Sequence, residues 1–327
     1  MTDGRTRPYS VLVRLTALAM MVVLLATGLA TVEMLLATFW PITTAYRYSA
    51  ANEYEFQPHL DIAFNTPEFS TRIRTDADGF RLPEAIPHGT RVLFLGDSFV
   101  FGHGVNGEQA LPHRLQRLSQ GRLSVVNAGV PGYDTRRETM VLENRGQTLR
   151  PQIVLVGFVL NDVLANSEEF RFSPTATGPM RRLPLPALGS LVEYLISDPA
   201  FVLFRMGVNV SRRFDHLACR LDGACQQGWA ATRHWLARLK KAAGTARVVL
   251  VRIPMPGEEP NAPAVIGNLG EAARLNGMDF IDLAQAPGLL QTGYYQTDGH
   301  WNADGHDMAA RYLWSHLALP DTGEAGR

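Results

Sequence analysis

Ser98, Asp298 and His300 are residues of the types that together turn a hydroxyl group into a nucleophile. Ser98 lies in Arg91-Val-Leu-Phe-Leu-Gly-Asp-Ser-Phe-Val-Phe-Gly102. Val92 to Leu95 is an apolar run of strand length, Gly96 suits a close turn, and the following stretch reads as helix. That order sets Ser98 at the carboxyl end of a strand, with its hydroxyl exposed and backbone N–H groups nearby. The competing reading is a plain helix cap, a place where Asp and Ser are both common. His300 stands in a loop just ahead of the last helix. Asp298, two residues earlier, can accept from its other ring nitrogen and fix the tautomer. His103, His113, His216, His234 and His306 are weaker bases, although Asp304 and Asp307 flank His306. Asp298, His300 and Asp304 could also surround a metal ion, but a Ser-His-Asp relay uses the same residues with fewer assumptions. Neither a metal nor a cofactor is expected.

Elements able to position these residues follow from the pattern of apolar runs. From Arg91 onward strand and helix alternate, the signature of a mainly parallel sheet with helices on both faces. Strands are expected near 92–95, 123–127, 152–158, 247–253 and 278–282. Helices are expected near 108–119, 135–148, 229–243, 262–276 and 303–317. The fold class is α/β, a three-layer αβα sandwich on a five-stranded sheet whose active edge lies at the strands' carboxyl ends. The segment 163–227 is too long for an ordinary connection, carries prolines 174, 179, 184 and 186, and leaves the sheet directly after Asn161-Asp162. It reads as a cap over the substrate pocket, with a membrane-facing or partner-binding surface as the rival reading.

Four blocks in order carry a family resemblance: the Gly-Asp-Ser98 turn, Val125-Val-Asn-Ala-Gly-Val-Pro-Gly-Tyr-Asp134, Ile153-Val-Leu-Val-Gly-Phe-Val-Leu-Asn-Asp162, and Thr297-Asp-Gly-His-Trp-Asn-Ala-Asp-Gly-His306. Together they resemble the SGNH (GDSL-type) hydrolases, esterases and acyl-group enzymes with a flavodoxin-like sheet. The resemblance runs from about Arg91 to Leu317. It implies Ser98 as nucleophile, His300 as base and Asp298 as its partner. It further implies an oxyanion hole from the N–H groups of Ser98 and Gly132 and the side-chain amide of Asn161. Many members carry Asp-x-x-His in the last block, whereas Asp298-Gly-His300 is similar to a subset that includes membrane-associated, glycan-modifying members. The third block is often Gly-x-Asn-Asp; the longer Gly157-Phe-Val-Leu-Asn161 transfers only the asparagine. Asp162 is read as a structural hydrogen-bonding residue.

The remainder of the chain bounds where such an enzyme would work. Leu15 to Val32 has no charged residue, and with Met34 to Trp40 it is long enough to cross a bilayer. Arg5, Arg7 and Arg14 precede it and favour a cytoplasmic N-terminus, leaving the following domain extracytoplasmic, periplasmic in a Gram-negative cell. A cleaved signal peptide is the rival reading, but the apolar part exceeds the usual ~7–15 residues of a signal core. Glu33 is awkward in a span; it belongs near the outer interface or against another helix.

The organisation expected is a 1–40 cytoplasmic end and anchor, a 41–90 juxtamembrane connector, a 91–319 catalytic domain with its 163–227 insertion, and a 320–327 tail. Within the connector, 71–81 reads as a short strand, a turn at Asp78-Gly79 and a second short strand. With 31 basic and 31 acidic residues and no basic tract in the globular part, nucleic acid is not an expected partner. Cys219 and Cys225 flank a turn that allows a disulfide in an oxidising compartment; a pair of buried thiols is the alternative.

Three functions compete at this point. The first is a membrane-anchored serine esterase acting on O-acyl, including O-acetyl, esters of a glycan or lipid. The second is an O-acyltransferase that uses the same three residues to modify a cell-surface polysaccharide. The third is a glycan-binding or assembly protein that keeps the fold without the activity.

Overall fold

The computed structural model describes residues 8–39, 45–49, 51–166, 188, 223–257 and 263–319. Its first element is α1 (Pro8–Phe39), 32 residues long. Within it Val11–Thr38 forms 28 residues apolar enough to cross a membrane, and none of that stretch is buried inside the protein. At a rise of about 1.5 Å per residue such a helix exceeds the ~30 Å of a hydrocarbon core. Its threonines suit a medium without water: the hydroxyls of Thr16, Thr27, Thr31 and Thr38 donate to the carbonyl one turn back, at 2.7–2.9 Å. The Glu33 carboxylate accepts a hydrogen bond of 2.8 Å from the backbone N–H of Leu188.

Between this helix and the sheet, the connector is more ordered than its sequence suggests. It forms two antiparallel hairpins, β1 (Tyr46–Ser49) with β2 (Glu53–Phe56), and β3 (Asp61–Asn65) with β4 (Ser70–Arg74). The strand expected from Thr71 therefore pairs backward with β3. Beyond the Asp78-Gly79 turn there is only a single bridge between Thr75 and Arg81. The hairpins are held by burial of their aromatic residues. Tyr54 and Phe56 are fully enclosed, Phe56 stacks on Phe101 at 4.6 Å, and the Tyr54 hydroxyl donates to the Pro131 carbonyl at 3.1 Å. Each such aromatic contributes about 1.5–3 kcal/mol of burial free energy.

The sheet itself has five parallel strands, β5 (Thr90–Gly96), β6 (Leu123–Gly129), β7 (Ile153–Val159), β8 (Arg247–Ile253) and β9 (Asp279–Asp282), in the order β6-β5-β7-β8-β9. Its strands read as near-continuous apolar runs because both faces are covered. Along β5, Leu93 and Leu95 enter one core while Val92 and Phe94 enter the other. The first core also takes in Val141 and Leu142 of α4 (Thr135–Leu149), Leu236 and Leu239 of the helix Gly223–Ala242, and Leu269 of the helix Pro263–Leu275. The second takes in Leu111 and Leu115 of α3 (Leu111–Leu118) and Ala309, Ala310 and Leu313 of the C-terminal helix Ala303–His316. This is the three-layer α/β arrangement with flavodoxin-like strand order. The helix expected over 108–119 is divided: a 3-10 turn at Gly107–Gln109 precedes α3, where Pro112 occupies the first turn. Most of the 163–227 insertion and Cys219 lie outside the described residues, so the cap reading and the disulfide lie there too.

Candidate active site

Register brings three glycines into one row across the central strands: Gly96 of β5 is opposite Gly129 of β6 and Gly157 of β7. The four-residue helix α2 (Ser98–Phe101) lies directly on this row. A Cβ at Gly96 or Gly157 would run into Val100, and one at Gly129 into the backbone of Phe101. The glycines thus let α2 settle onto the sheet edge, which fixes the height of Ser98. Asp97 caps the helix through a 2.9 Å bond from the Phe99 N–H to its Oδ1, and Gly102 closes it with φ of 85°. Burial pushes the Asp97 carboxyl up to about 6, against the opposing pull of the Phe99 N–H and of His300.

His300 reaches the same place from the far end of the chain. Trp301, fully buried, packs edge-on against Phe99 at 5.1 Å, and Asn302 caps the C-terminal helix through the Gly305 N–H at 2.9 Å. The His300 carbonyl accepts from the Tyr295 N–H at 2.8 Å, and its ring lies 5.0 Å from that of Phe99. In this setting His300 Nε2 is 2.8 Å from Ser98 Oγ, and His300 Nδ1 is 2.6 Å from Asp298 Oδ1. Burial works against ionisation of Asp298, but hydrogen bonds from His103 and His300 prevail and hold its carboxyl well below the ordinary range. An ionised carboxylate only accepts, so His300 Nδ1 carries the proton and Nε2 is left to accept from the serine hydroxyl. The Asp-x-His spacing therefore orients the carboxylate onto the ring.

Gly132 and Asn161 leave the same edge, three residues beyond Gly129 and four beyond Gly157. Gly132 has φ of 81°, a conformation that favours glycine. Among the described residues neither the Gly132 N–H nor the Asn161 side-chain N–H donates to a protein acceptor, and Asn161 Oδ1 is buried without a protein donor. The N–H of Ser98 opens α2 and so belongs to the first turn, which has no intrahelical acceptor. Ser98, Gly132 and Asn161 thus follow adjacent strand ends, and Asp298 and His300 reach Ser98 from the loop ahead of the last helix.

Sequence comparison decides what this arrangement belongs to. The family model of the GDSL-like lipase/acylhydrolases matches residues 94–308, more than half of the chain. The chain belongs to this family. It is accordingly a GDSL-type serine ester hydrolase, with esterase or acylhydrolase chemistry as its class.

Solved structures similar to this GDSL-type chain include the crystal structure of TesA, 18% identical over 69% of this chain and 96% of its own, with a TM-score of 0.43. The psychrotrophic esterase EstA from Pseudoalteromonas sp., inhibited by monoethylphosphonate, is 14% identical over 69% of this chain and 95% of its own, with a TM-score of 0.43. A catalytic mutant of Axe2, an acetylxylan esterase from Geobacillus stearothermophilus, is 17% identical over 72% of this chain and 97% of its own, with a TM-score of 0.41. Comparison with curated protein sequences gives no match.

Two of the less favoured alternatives, His306 as a base and a metal among Asp298, His300 and Asp304, are not supported by the site. His306 is 1% exposed, its Nδ1 accepts from the Leu111 N–H at 3.2 Å, and burial lowers its pKa to about 3, so it is a neutral packing residue. A metal would not find Asp298, His300 and Asp304 together. His103, Asp298 and His300 are the three whose ligand atoms lie within 4.8 Å of one another. Asp162 is buried and its Oδ2 accepts from Thr135 Oγ1 at 3.2 Å, a structural bond as expected. Of two residues beside Asp298, sequence reasoning ranked His103 only as a weaker base and missed Glu68. His103 places Nε2 3.6 Å from its Oδ2, and its position in Gly-His-Gly within the serine block was the available signal. Glu68 accepts from the backbone N–H groups of Thr297 and Asp298, and nothing in its sequence surroundings marks it.

Proposed function

We propose that this protein is a membrane-anchored esterase whose catalytic domain is extracytoplasmic and which removes O-acyl groups, acetyl among them, from a glycan or lipid through an acyl-enzyme on Ser98. The observation that carries the reading is the unbroken relay from Ser98 Oγ to His300 at 2.8 Å and from His300 to Asp298 at 2.6 Å. Ser98 Oγ attacks the acyl carbonyl carbon while His300 Nε2 takes its proton, and Asp298 stabilises the imidazolium. The charge on the carbonyl oxygen is met by the N–H groups of Ser98 and Gly132 and the amide of Asn161. His300 then returns the proton to the departing alcohol. Water, giving a proton to His300, releases the carboxylic acid and restores the serine.

Support for the location comes from the N-terminal helix and the arginines before it: Arg5, Arg7 and Arg14 favour retention of the short leading side in the cytoplasm. A tether of this kind keeps the domain next to envelope glycans and lipids. The test uses the full chain in detergent with a short-to-long acyl ester series and with an O-acetylated polysaccharide, Ser98→Ala serving as blank. Carboxylic acid release by wild type and not by the variant is expected. Acyl groups appearing on an added glycan hydroxyl instead of in solution would replace hydrolysis by transfer, and absence of both products would remove the enzyme reading. A membrane-impermeant amine reagent on intact cells should modify the catalytic domain; protection of its lysines until lysis would reverse the proposed orientation.

A further inference from the structure

The hairpin β3–β4 lies outside the residues matched by the family, yet its loop bonds directly to the backbone of the Asp-x-His block. Glu68 Oε1 accepts from the Thr297 N–H at 2.8 Å and Glu68 Oε2 from the Asp298 N–H at 2.6 Å. Each oxygen of one carboxylate therefore holds one of two successive amides, a two-point attachment that fixes direction as well as distance. Glu68 is itself held: Thr66 Oγ1 accepts from the N–H groups of Glu68 and Phe69 at 3.3 and 3.2 Å, and the Thr66 N–H donates to the Phe69 carbonyl at 2.8 Å.

The same hairpin packs on the other side of the site. Phe64 and Phe69 each lie 5.5 Å from the ring of His103, whose ring is 4.4 Å from that of His300. Phe69 also lies 5.2 Å from Tyr295, whose hydroxyl donates to the Gly104 carbonyl at 2.9 Å. The loop thus touches both the serine block and the histidine block.

We propose that Glu68 is a positioning residue for Asp298, and that the Thr66–Phe69 turn between β3 and β4 orients the Asp-x-His block of this chain. The Asp-x-His block leaves only Gly299 between the two side chains, and Gly299 has φ of 82°. The direction of the Asp298 carboxylate is then set by its own backbone, and Glu68 is what holds that backbone. The inference rests on the reading of Asp298 and His300 as catalytic, and extends it to a residue of the N-terminal connector.

The experiment compares full-length Glu68→Ala, Glu68→Gln and Asp61→Ala in detergent. Asp61 pairs with Arg72 at 2.8 Å across the same hairpin without touching the block, so its variant reports hairpin stability alone. Glu68→Ala is expected to lower kcat about 10–100-fold with KM changed less than about twofold, since small misplacements of catalytic groups cost on this order. Glu68→Gln, keeping one acceptor oxygen, is expected to recover part of the loss, and Asp61→Ala to keep wild-type kcat. Hydrogen exchange of the Thr297 and Asp298 amides, followed by mass spectrometry, should quicken in Glu68→Ala. Wild-type kcat in Glu68→Ala, or an equal loss in Asp61→Ala, would overturn the positioning role. If the wild type turns over no ester, the catalytic reading fails separately. Exchange then decides the attachment: faster amides uphold it and unchanged amides end it.

Discussion

Replacing Asp298 by asparagine probes the relay at its least substitutable point. The side chain keeps its shape, and the Glu68 bonds are made to backbone N–H groups, so the loop is expected to stay in place. What changes is the partner presented to His300 Nδ1, now 2.6 Å from Asp298 Oδ1. An amide nitrogen turned toward the ring would force the proton onto Nε2, the atom that must accept from Ser98 Oγ at 2.8 Å. An amide oxygen turned toward it would keep the tautomer but supply no charge to the imidazolium. Loss of the charge or of the tautomer in a Ser-His-Asp relay costs on the order of 10⁴ in kcat, or about 5.5 kcal/mol of transition-state stabilisation. Steady-state hydrolysis of the ester best accepted by wild type measures it, with a thermal unfolding curve to establish folding. A folded Asp298→Asn variant within about tenfold of wild type would refute the reasoning that Asp298 sets the state of His300.

Other consequences follow from neighbouring elements. Asn161→Ala removes the proposed oxyanion donor and should lower kcat about 10²–10³-fold with little change in KM, as read from steady-state kinetics; an effect on KM alone would exclude that role. Gly129→Ala drives a Cβ into the backbone of Phe101 and should cost about 1–3 kcal/mol of stability and depress activity by displacing α2; an unchanged melting temperature would contradict the close seating of that helix. Burial, reinforced by the charge of Asp97, raises the Glu138 carboxyl well above its ordinary range, and burial together with Glu138 does the same to Asp162. With the folded pKa above the unfolded one, the native state binds more protons, so stability falls as pH rises from about 4.5 toward the raised value. Glu138→Gln should therefore gain on wild type as pH rises in that window, by up to about 1.4 kcal/mol per pH unit; thermal melts at about pH 5 and about pH 7 check this, and a constant difference would show that Glu138 does not titrate there.

Much of this arrangement was legible because the sheet announces itself in apolar runs. Val92–Leu95, Ile153–Val159 and Arg247–Ile253 are covered on both faces, and strands of that kind cannot alternate with polar residues. The helices after them carry recognisable starts, such as Asp134, whose side chain caps α4 through the Arg137 N–H. The hairpins were less legible. Their strands are four or five residues long, and β3 and β4 have exposed polar or charged residues flanking a few buried ones such as Phe64, Thr71 and Ile73. β1–β2 docks through Tyr54 and Phe56 onto Tyr133 and Phe101, and β3–β4 through Phe64 and Phe69 onto His103 and Tyr295, contacts that no local pattern reveals.

At the site, Ser98, Asp298 and His300 were visible through residue type and block spacing. Gly132 and Asn161 needed the strand register to place them at one edge. Glu68 bonds residues 229 and 230 positions away, a relation set by tertiary packing alone. His306, flanked by two acids in sequence, looks like a base until burial beside Trp301, with ring centroids 5.5 Å apart, shows it to be neutral.

The proposed reaction requires Ser98 to be the activated hydroxyl. Full-length wild type, Ser98→Ala and His300→Ala are treated with a fluorophosphonate, and the modified peptide is located by mass spectrometry. One adduct on Ser98 in the wild type, none in Ser98→Ala and a far slower reaction in His300→Ala is the expected result. A folded wild-type protein that takes up no probe, or that is modified at another residue while Ser98 stays free, would contradict it.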